Sequence, residues 1–236
     1  MLPIAAFVGF VLAGRADHTI EEVTQTKLRD AVMVAHVVKG DQTELAKINR
    51  DFGAAYRVEF TDIQMKEPLM LRLTSKVDDM DVLYIINNTT QAYRIPKAHA
   101  NVQRDLSDAP GRRQTAFDFG LVTPSLFTNL YVANFIRVDR ETGDYVFDFL
   151  YKPVYADTTR SRVWIDPVKK YIAKREWYNR QGDLRAALYY DRPIEAAGIW
   201  FPSRLTVKNV DGIVAGVTQY ESVKANVGLP DSLFKP

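Results

Sequence analysis

The chain has no cysteine. That excludes a disulfide framework, thiolate catalysis, a cysteine zinc site and a lipid anchor on cysteine. Histidine is scarce: His18, His36 and His99 are the only three, and no two stand at metal-ligand spacing. H-E-x-x-H, G-x-S-x-G and P-loop patterns are all missing. A large charge of either sign is missing too. Lys and Arg number 31 against 29 Asp and Glu, a net charge of +2, so neither a nucleic-acid partner nor an acidic arm is indicated. No apolar run reaches the roughly 20 residues that a membrane-spanning helix needs. Together these absences predict a protein without cofactor, metal or covalent chemistry, and not an enzyme.

What is present is ordinary in bulk. The 236 residues are 47% hydrophobic and 25% charged, as in soluble globular domains. No Pro/Gly-rich linker divides them, which predicts one domain over 17–236. Residues 1–16 differ: the apolar run Leu2 to Ala13 leads into Gly14-Arg15-Ala16, a small-x-small pattern. This is the form of a secretory signal, cleaved before Asp17. No basic residue precedes the run, and a buried N-terminal strand or helix turn is the alternative.

Thr19 with Glu22 forms a capping-box pattern. Ile20, Val23, Leu28, Val32, Ala35 and His36 follow at near-helical spacing, predicting a helix that ends at Gly40. His36 then packs within it, while His18 and His99 are exposed. A second helix is expected from Thr43 to Phe52, closed by Gly53. The period then falls to two. Tyr56, Val58 and Phe60 alternate with polar residues, then Leu69, Leu71 and Leu73 after Pro68, with further strands at Val82 to Ile86 and Ala92 to Ile95. Asp78-Asp79 and Asn87-Asn88 read as turns. The Asp78-Asp79-Met80-Asp81 run lacks the glycine and terminal glutamate of an EF-hand calcium loop.

Ser107 to Gly120, with Pro110-Gly111-Arg112-Arg113, reads as an exposed loop, and Thr123-Pro124 starts a short helix to Leu130. Turn signals at 141–144, 166–169, 181–183 and 210–212 then punctuate strand-like runs, an antiparallel meander. Tyr145, Phe147, Phe149 and Tyr151 form an aromatic row along one strand face, and Leu184, Ala186, Leu188 and Tyr190 a second apolar row. Such rows form either a packed core or the lining of an apolar cavity. Periodicity does not separate the two.

The order of parts resembles one family. Lys66-Glu67-Pro68 precedes Leu69 to Leu73 and the strand from Val82. Trp164-Ile-Asp-Pro167, Arg175-Glu-Trp-Tyr178, Gly198-Ile-Trp-Phe-Pro202 and the closing Asn226 to Phe234 follow. This is similar to the outer-membrane lipoprotein-sorting (LolA-like) superfamily over residues 17 to 236. The resemblance implies a mainly β fold with α: a strongly curved antiparallel sheet, or half-open β-barrel, lidded by N-terminal and inserted helices. It also implies a periplasmic monomer that holds lipid or lipoprotein acyl chains and meets inner- and outer-membrane partner proteins. Leu71, Leu73, Tyr84, Tyr145, Phe147, Phe149, Tyr151 and Leu188 are the candidate cavity residues. The family's carriers place a lid-holding arginine before the proline of the early turn. This chain has Glu67 there, and Arg72 is the nearest substitute. An envelope-stress regulatory or interaction module, gripping its partner near Arg112-Arg113, is the alternative function. A hydrolase on the same scaffold would need a nucleophile with its base.

Overall fold

A computed structural model describes residues 17–77 and 80–236. The leader and the Asp78-Asp79 turn lie outside them. Within the described residues the strands are β1 Asp30–Gly40, β2 Phe60–Lys66, β3 Met70–Val77, β4 Met80–Asn87, β5 Thr90–Ile95, β6 Ala100–Asp105, β7 Tyr131–Val138, β8 Tyr145–Tyr151, β9 Arg160–Ile165, β10 Ile172–Tyr178, β11 Leu184–Ala196, β12 Ile199–Asn209 and β13 Val214–Ala225. They form one curved, unclosed antiparallel sheet in the order β6-β5-β4-β3-β2-β1-β13-β12-β11-β10-β9-β8-β7.

Every neighbour pair but one joins strands consecutive in sequence. The exception is β1 with β13, where the two ends of the chain meet at the middle of the sheet (Ala31 opposite Ala225). The chain therefore leaves the centre, reaches the β6 edge, crosses to the β7 edge through residues 106–130, and returns.

The four C-terminal turns stand where their Gly and Asp residues predict. Gly143, Gly182 and Gly212 all have positive φ. In each turn an Asp or Asn carbonyl accepts the glycine N–H: Asp139, Asn179 and Asn209 respectively. Asn88 is also at positive φ, in the β4–β5 turn.

Two expectations fail in the N-terminal part. Only Ile20–Val23 is helical, as one 3-10 turn, and Asp30–Gly40 is the central strand β1. Its outer face carries Val32 and Val34 as well, so the alternation that marks a half-wet strand is missing. Secondly, Tyr56 to Glu59 is not strand, because β2 begins at Phe60. The second helix is broken in two, α1 Gln42–Ile48 and α2 Arg50–Ala55. Asn49 separates them and caps α2 by accepting the Phe52 N–H at 2.9 Å. Gly53 lies inside α2, not after it. His36 stands on the outer side of β1, stacked on Phe60 at 4.4 Å. His18 is half-buried, stacked on Tyr145 at 3.9 Å, and His99 is exposed as expected.

One sheet face carries the core. Ala31, Met33, Ile63, Met65, Leu71, Ile86, Phe147, Phe149, Val163, Leu188, Tyr190 and Val207 are all buried there. Against it lie α1 and α2, whose Leu45 and Ile48 are fully buried. Tyr56, just beyond α2, lies flat on β13, where a Cβ on Gly216 would fall within the ring's space. Desolvation pushes the Tyr56 hydroxyl up to about 12, despite its contact with the Thr218 hydroxyl at 3.3 Å.

After β13 the chain turns onto the opposite, outer face. Asp30, itself buried, accepts the N–H groups of Val227, Gly228 and Leu229 at 2.7 to 3.2 Å. Lys66 donates to the Leu229 carbonyl at 2.6 Å and pairs with Asp231. Asn87 donates to the Phe234 carbonyl. Removing a carboxylate that satisfies three donors orphans them. Asp30→Ala is expected to cost about 2–3 kcal/mol and to expose residues 226–236 to limited proteolysis; an unchanged cleavage pattern would show that the tail holds without it.

Candidate functional site

The site is the inner face and what lies on it. All eight residues picked from the sequence are there. Leu71, Tyr84, Phe147, Phe149 and Leu188 belong to the buried core, and Leu73, Tyr145 and Tyr151 pack against it. Alternation brings this about: on β8, Tyr145, Phe147, Phe149 and Tyr151 face inward, while Asp148 faces outward between Arg160 and Arg162.

The crossing segment covers this face. It is not the exposed loop its Pro-Gly-Arg-Arg composition suggests. Leu106, Pro110, Arg113, Thr115, Phe117, Phe119, Leu121 and Val122 are buried. Arg113 turns inward and donates to the carbonyls of Leu106 (2.8 and 2.9 Å) and Ser107 (2.9 Å). A guanidinium so bound closes the loop on itself and leaves only Arg112 to solvent. Thr115 then caps a 3-10 turn, Ala116–Phe119, while Asp118 accepts the Thr115 N–H. Phe117 stacks on Phe149 at 5.4 Å, and Phe127 meets the same ring edge-on at 5.2 Å. Phe127 belongs to α3, Pro124–Asn129, begun by Thr123-Pro124 as expected.

The N-terminal segment lies beside it. Gln25 ties three pieces together: its N–H donates to the Val122 carbonyl, and its side chain donates to the Lys169 and Lys170 carbonyls. Residues 17–29, α1–α2 and 106–130 are thus the lid, built from short helical turns rather than the long helices expected.

A half-buried ion pair fastens the lid to the sheet. Arg175, from β10, donates to Asp118 at 3.0 Å and to Ser161 at 3.2 Å, with its guanidinium 4.1 Å above the Phe117 ring. Tyr190 donates to the Asp118 carbonyl at 3.3 Å. Burial works against the Arg175 charge, but Asp118 outweighs it and holds the guanidinium firmly protonated. Burial likewise pushes the Tyr190 and Tyr131 hydroxyls well above their usual range.

Arg175 was visible in the sequence as part of Arg175-Glu-Trp-Tyr178, but no spacing links it to Asp118. Arg72 cannot hold the lid, because it stands on the outer face and donates to the Leu233 carbonyl. Glu67 only pins the turn backbone: its N–H donates to the Arg29 carbonyl.

A small pocket of about 10 Å³ lies among Leu28, Asp30, Met65, Lys66, Leu69 and Ala116, room for one water. The inner face is apolar and aromatic, and Phe117 and Phe119 of the crossing segment are buried in the same core. Among the described residues no cluster of three His, Asp or Glu side chains is placed to hold a metal. No described helix is long and apolar enough to cross a membrane.

A protein-family model described as "-like: Uncharacterized protein" matches residues 123–236, a little under half of the chain. No curated protein matches it. Three solved structures are similar over nearly the whole length. A Vibrio parahaemolyticus domain described as an outer membrane lipoprotein-sorting protein is 13% identical, with a TM-score of 0.63, covering 91% of this chain and 92% of that one. A LolA superfamily protein from Nitrosomonas europaea is 15% identical at a TM-score of 0.57, with 92% and 94% covered. A DUF1329 family protein from Desulfovibrio piger is 12% identical at 0.58, with 91% and 92% covered. At these identities the likeness is one of architecture: the chain has the fold of the outer-membrane lipoprotein-sorting, LolA-like superfamily.

Proposed function

We propose that the protein is a periplasmic, non-enzymatic binder of acyl chains, a lipid or lipoprotein carrier that acts as a monomer. The observation that carries this reading is the aromatic inner face under a lid fastened by the half-buried Arg175–Asp118 pair, on the fold of a protein described as lipoprotein-sorting. Phe117 and Phe119 occupy the place of a guest, and a guest enters as residues 106–130 swing away. Each methylene that replaces water contact with the inner face gains about 0.8 kcal/mol, which offsets the loss of the lid's own packing. Leu71, Leu73, Tyr84, Tyr145, Phe147, Phe149, Tyr151 and Leu188 would then line the chain.

The test is direct. Protein purified from its native host without detergent should carry lipid mass in native mass spectrometry. After delipidation it should bind a fluorescent fatty acid, with Leu188→Asp and Phe149→Asp weakening that binding. Absence of both bound lipid and probe binding in a folded preparation ends the proposal.

The two open sheet edges favour a second reading, a protein-binding module on the same fold. β6 and β7 are open edges, and Asn101 to Asp105 on β6 are all exposed, the condition for an extended peptide to add as a further strand. A bound partner should then slow amide exchange along β6 or β7. Slowing confined to other surfaces would rule this mode out.

A further inference from the structure

The outer face carries a cleft that the acyl-chain reading leaves unused. It measures about 370 Å³ and lies between β13, β1, β2 and β3, with Leu233 of the C-terminal tail on one side. Strand register sets its floor. Lys224 lies opposite Val32, Val32 opposite Gln64, and Gln64 opposite Arg72, so these four form one row across four strands. Val34, Asp62 and Thr74 form the next row. Two valines and Leu233 supply apolar surface, and a cation stands at each end of the first row.

Those cations are not spent inside the protein. Arg72 makes one hydrogen bond among the described residues, from Nη1 to the Leu233 carbonyl at 3.2 Å, out of the five N–H donors of a guanidinium. The Lys224 side chain has no hydrogen bond or ion pair among the described residues. Asp62 also lines the cleft, and it pairs with neither. One carboxylate against two cations leaves the cleft with a net positive charge. The wall is fixed as well, because the tail that carries Leu233 is held by Asp30, Lys66 and Asn87. A volume at the lower end of small-molecule sites, with Val32, Val34 and Leu233 set among polar side chains, suits a small amphiphile. The unspent donors of Arg72 select its charge.

We infer that this outer cleft binds a small anionic amphiphile, with its carboxylate or phosphate head on Arg72 and Lys224 and its short apolar tail over Val32, Val34 and Leu233. The site is separate from the inner face and stands or falls apart from the acyl-chain reading.

Methyl NMR of the full chain, titrated with octanoate, octyl phosphate and octanol, tests it. The expected result is saturating shifts of the Val32, Val34 and Leu233 methyls with the anions and none with octanol; the stronger of the two anions identifies the head. Because charge-assisted hydrogen bonds are worth about 1.5–3 kcal/mol, R72Q/K224Q should weaken binding roughly tenfold or more. K224Q alone touches only an exposed side chain and leaves the fold intact; it should weaken binding roughly threefold. Three results overturn the inference: no saturation with either anion, equal shifts with octanol, or K224Q and R72Q/K224Q both binding as the natural protein does. Leu71 and Leu188 methyls report the inner face separately, so shifts confined to them overturn this site and leave the acyl-chain reading standing.

Discussion

Asp118→Ala is expected to destabilise the fold by about 2–3 kcal/mol, the range for leaving a half-buried charged donor without its acceptor. In a chain of this length that lowers Tm by roughly 10 °C. The two partners are not equivalent. The Arg175 side chain is 14% exposed and the Asp118 side chain 33%. Removing the carboxylate leaves a guanidinium under the lid with neutral neighbours, the Ser161 and Tyr190 hydroxyls and the Phe117 ring. Removing the guanidinium leaves a carboxylate that still accepts the Thr115 N–H and reaches water. Arg175→Met keeps an apolar stem over Phe117, so its cost should be smaller, about 1–2 kcal/mol. Thermal unfolding of both variants measures the asymmetry. Equal costs, or a larger cost for Arg175→Met, would show that the pair is not buried as described. In the acyl-chain reading both variants should also bind a fatty-acid probe faster, because the fastening of the lid is gone.

Gly120→Ala should be comparably damaging, for a different reason. Gly120 ends the 3-10 turn at φ +80, a conformation that side chains rarely adopt. A Cβ there would lie 2.8 Å from Pro202 and 2.9 Å from the Tyr190 ring. Left-handed strain contributes about 1–2 kcal/mol, and overpacking against two buried residues about 1–3 kcal/mol more. Gly143→Ala is the control, since that glycine has similar φ and open space around it. It should lose the conformational part alone. Chemical denaturation of the two variants separates the contributions, and equal losses would mean that the Pro202–Tyr190 contact relaxes freely.

How much of this was legible in the sequence depends on where each residue's partner lies. The β7 to β13 hairpins were readable because Gly143, Gly182 and Gly212 sit in turns whose partners are a few residues away. The row Tyr145, Phe147, Phe149 and Tyr151 was readable because alternation alone puts it on one face. β1 was not. Ala31, Met33 and Ala35 face the core, but Val32 and Val34 face a cleft partly walled by Leu233, about two hundred residues later in the chain. A strand with apolar side chains on both faces does not alternate, and its spacing mimics a helix. The crossing segment was misread for a related reason. Pro110-Gly111-Arg112-Arg113 has the composition of a surface loop, yet Arg113 is consumed by local carbonyls and Asp118 by Arg175, 57 positions away. Pairings of that range leave no periodic trace.

The meeting of β1 and β13 at the middle of the sheet has a consequence for how the chain is wired. Remove residues 106–130 and the remaining strands split into two plain meanders, β1 to β6 and β7 to β13, whose contacts are local. Only the β1–β13 seam demands closure of nearly the whole chain, and such distant pairings slow folding. The start of β1 and the end of β13 lie side by side at that seam. A circular permutant joined there and opened within 106–130 would therefore be an unbroken thirteen-strand ribbon with every neighbour adjacent in sequence. The natural connectivity gives up that simplicity, and what it obtains in exchange is a strap tied at both rims of the sheet.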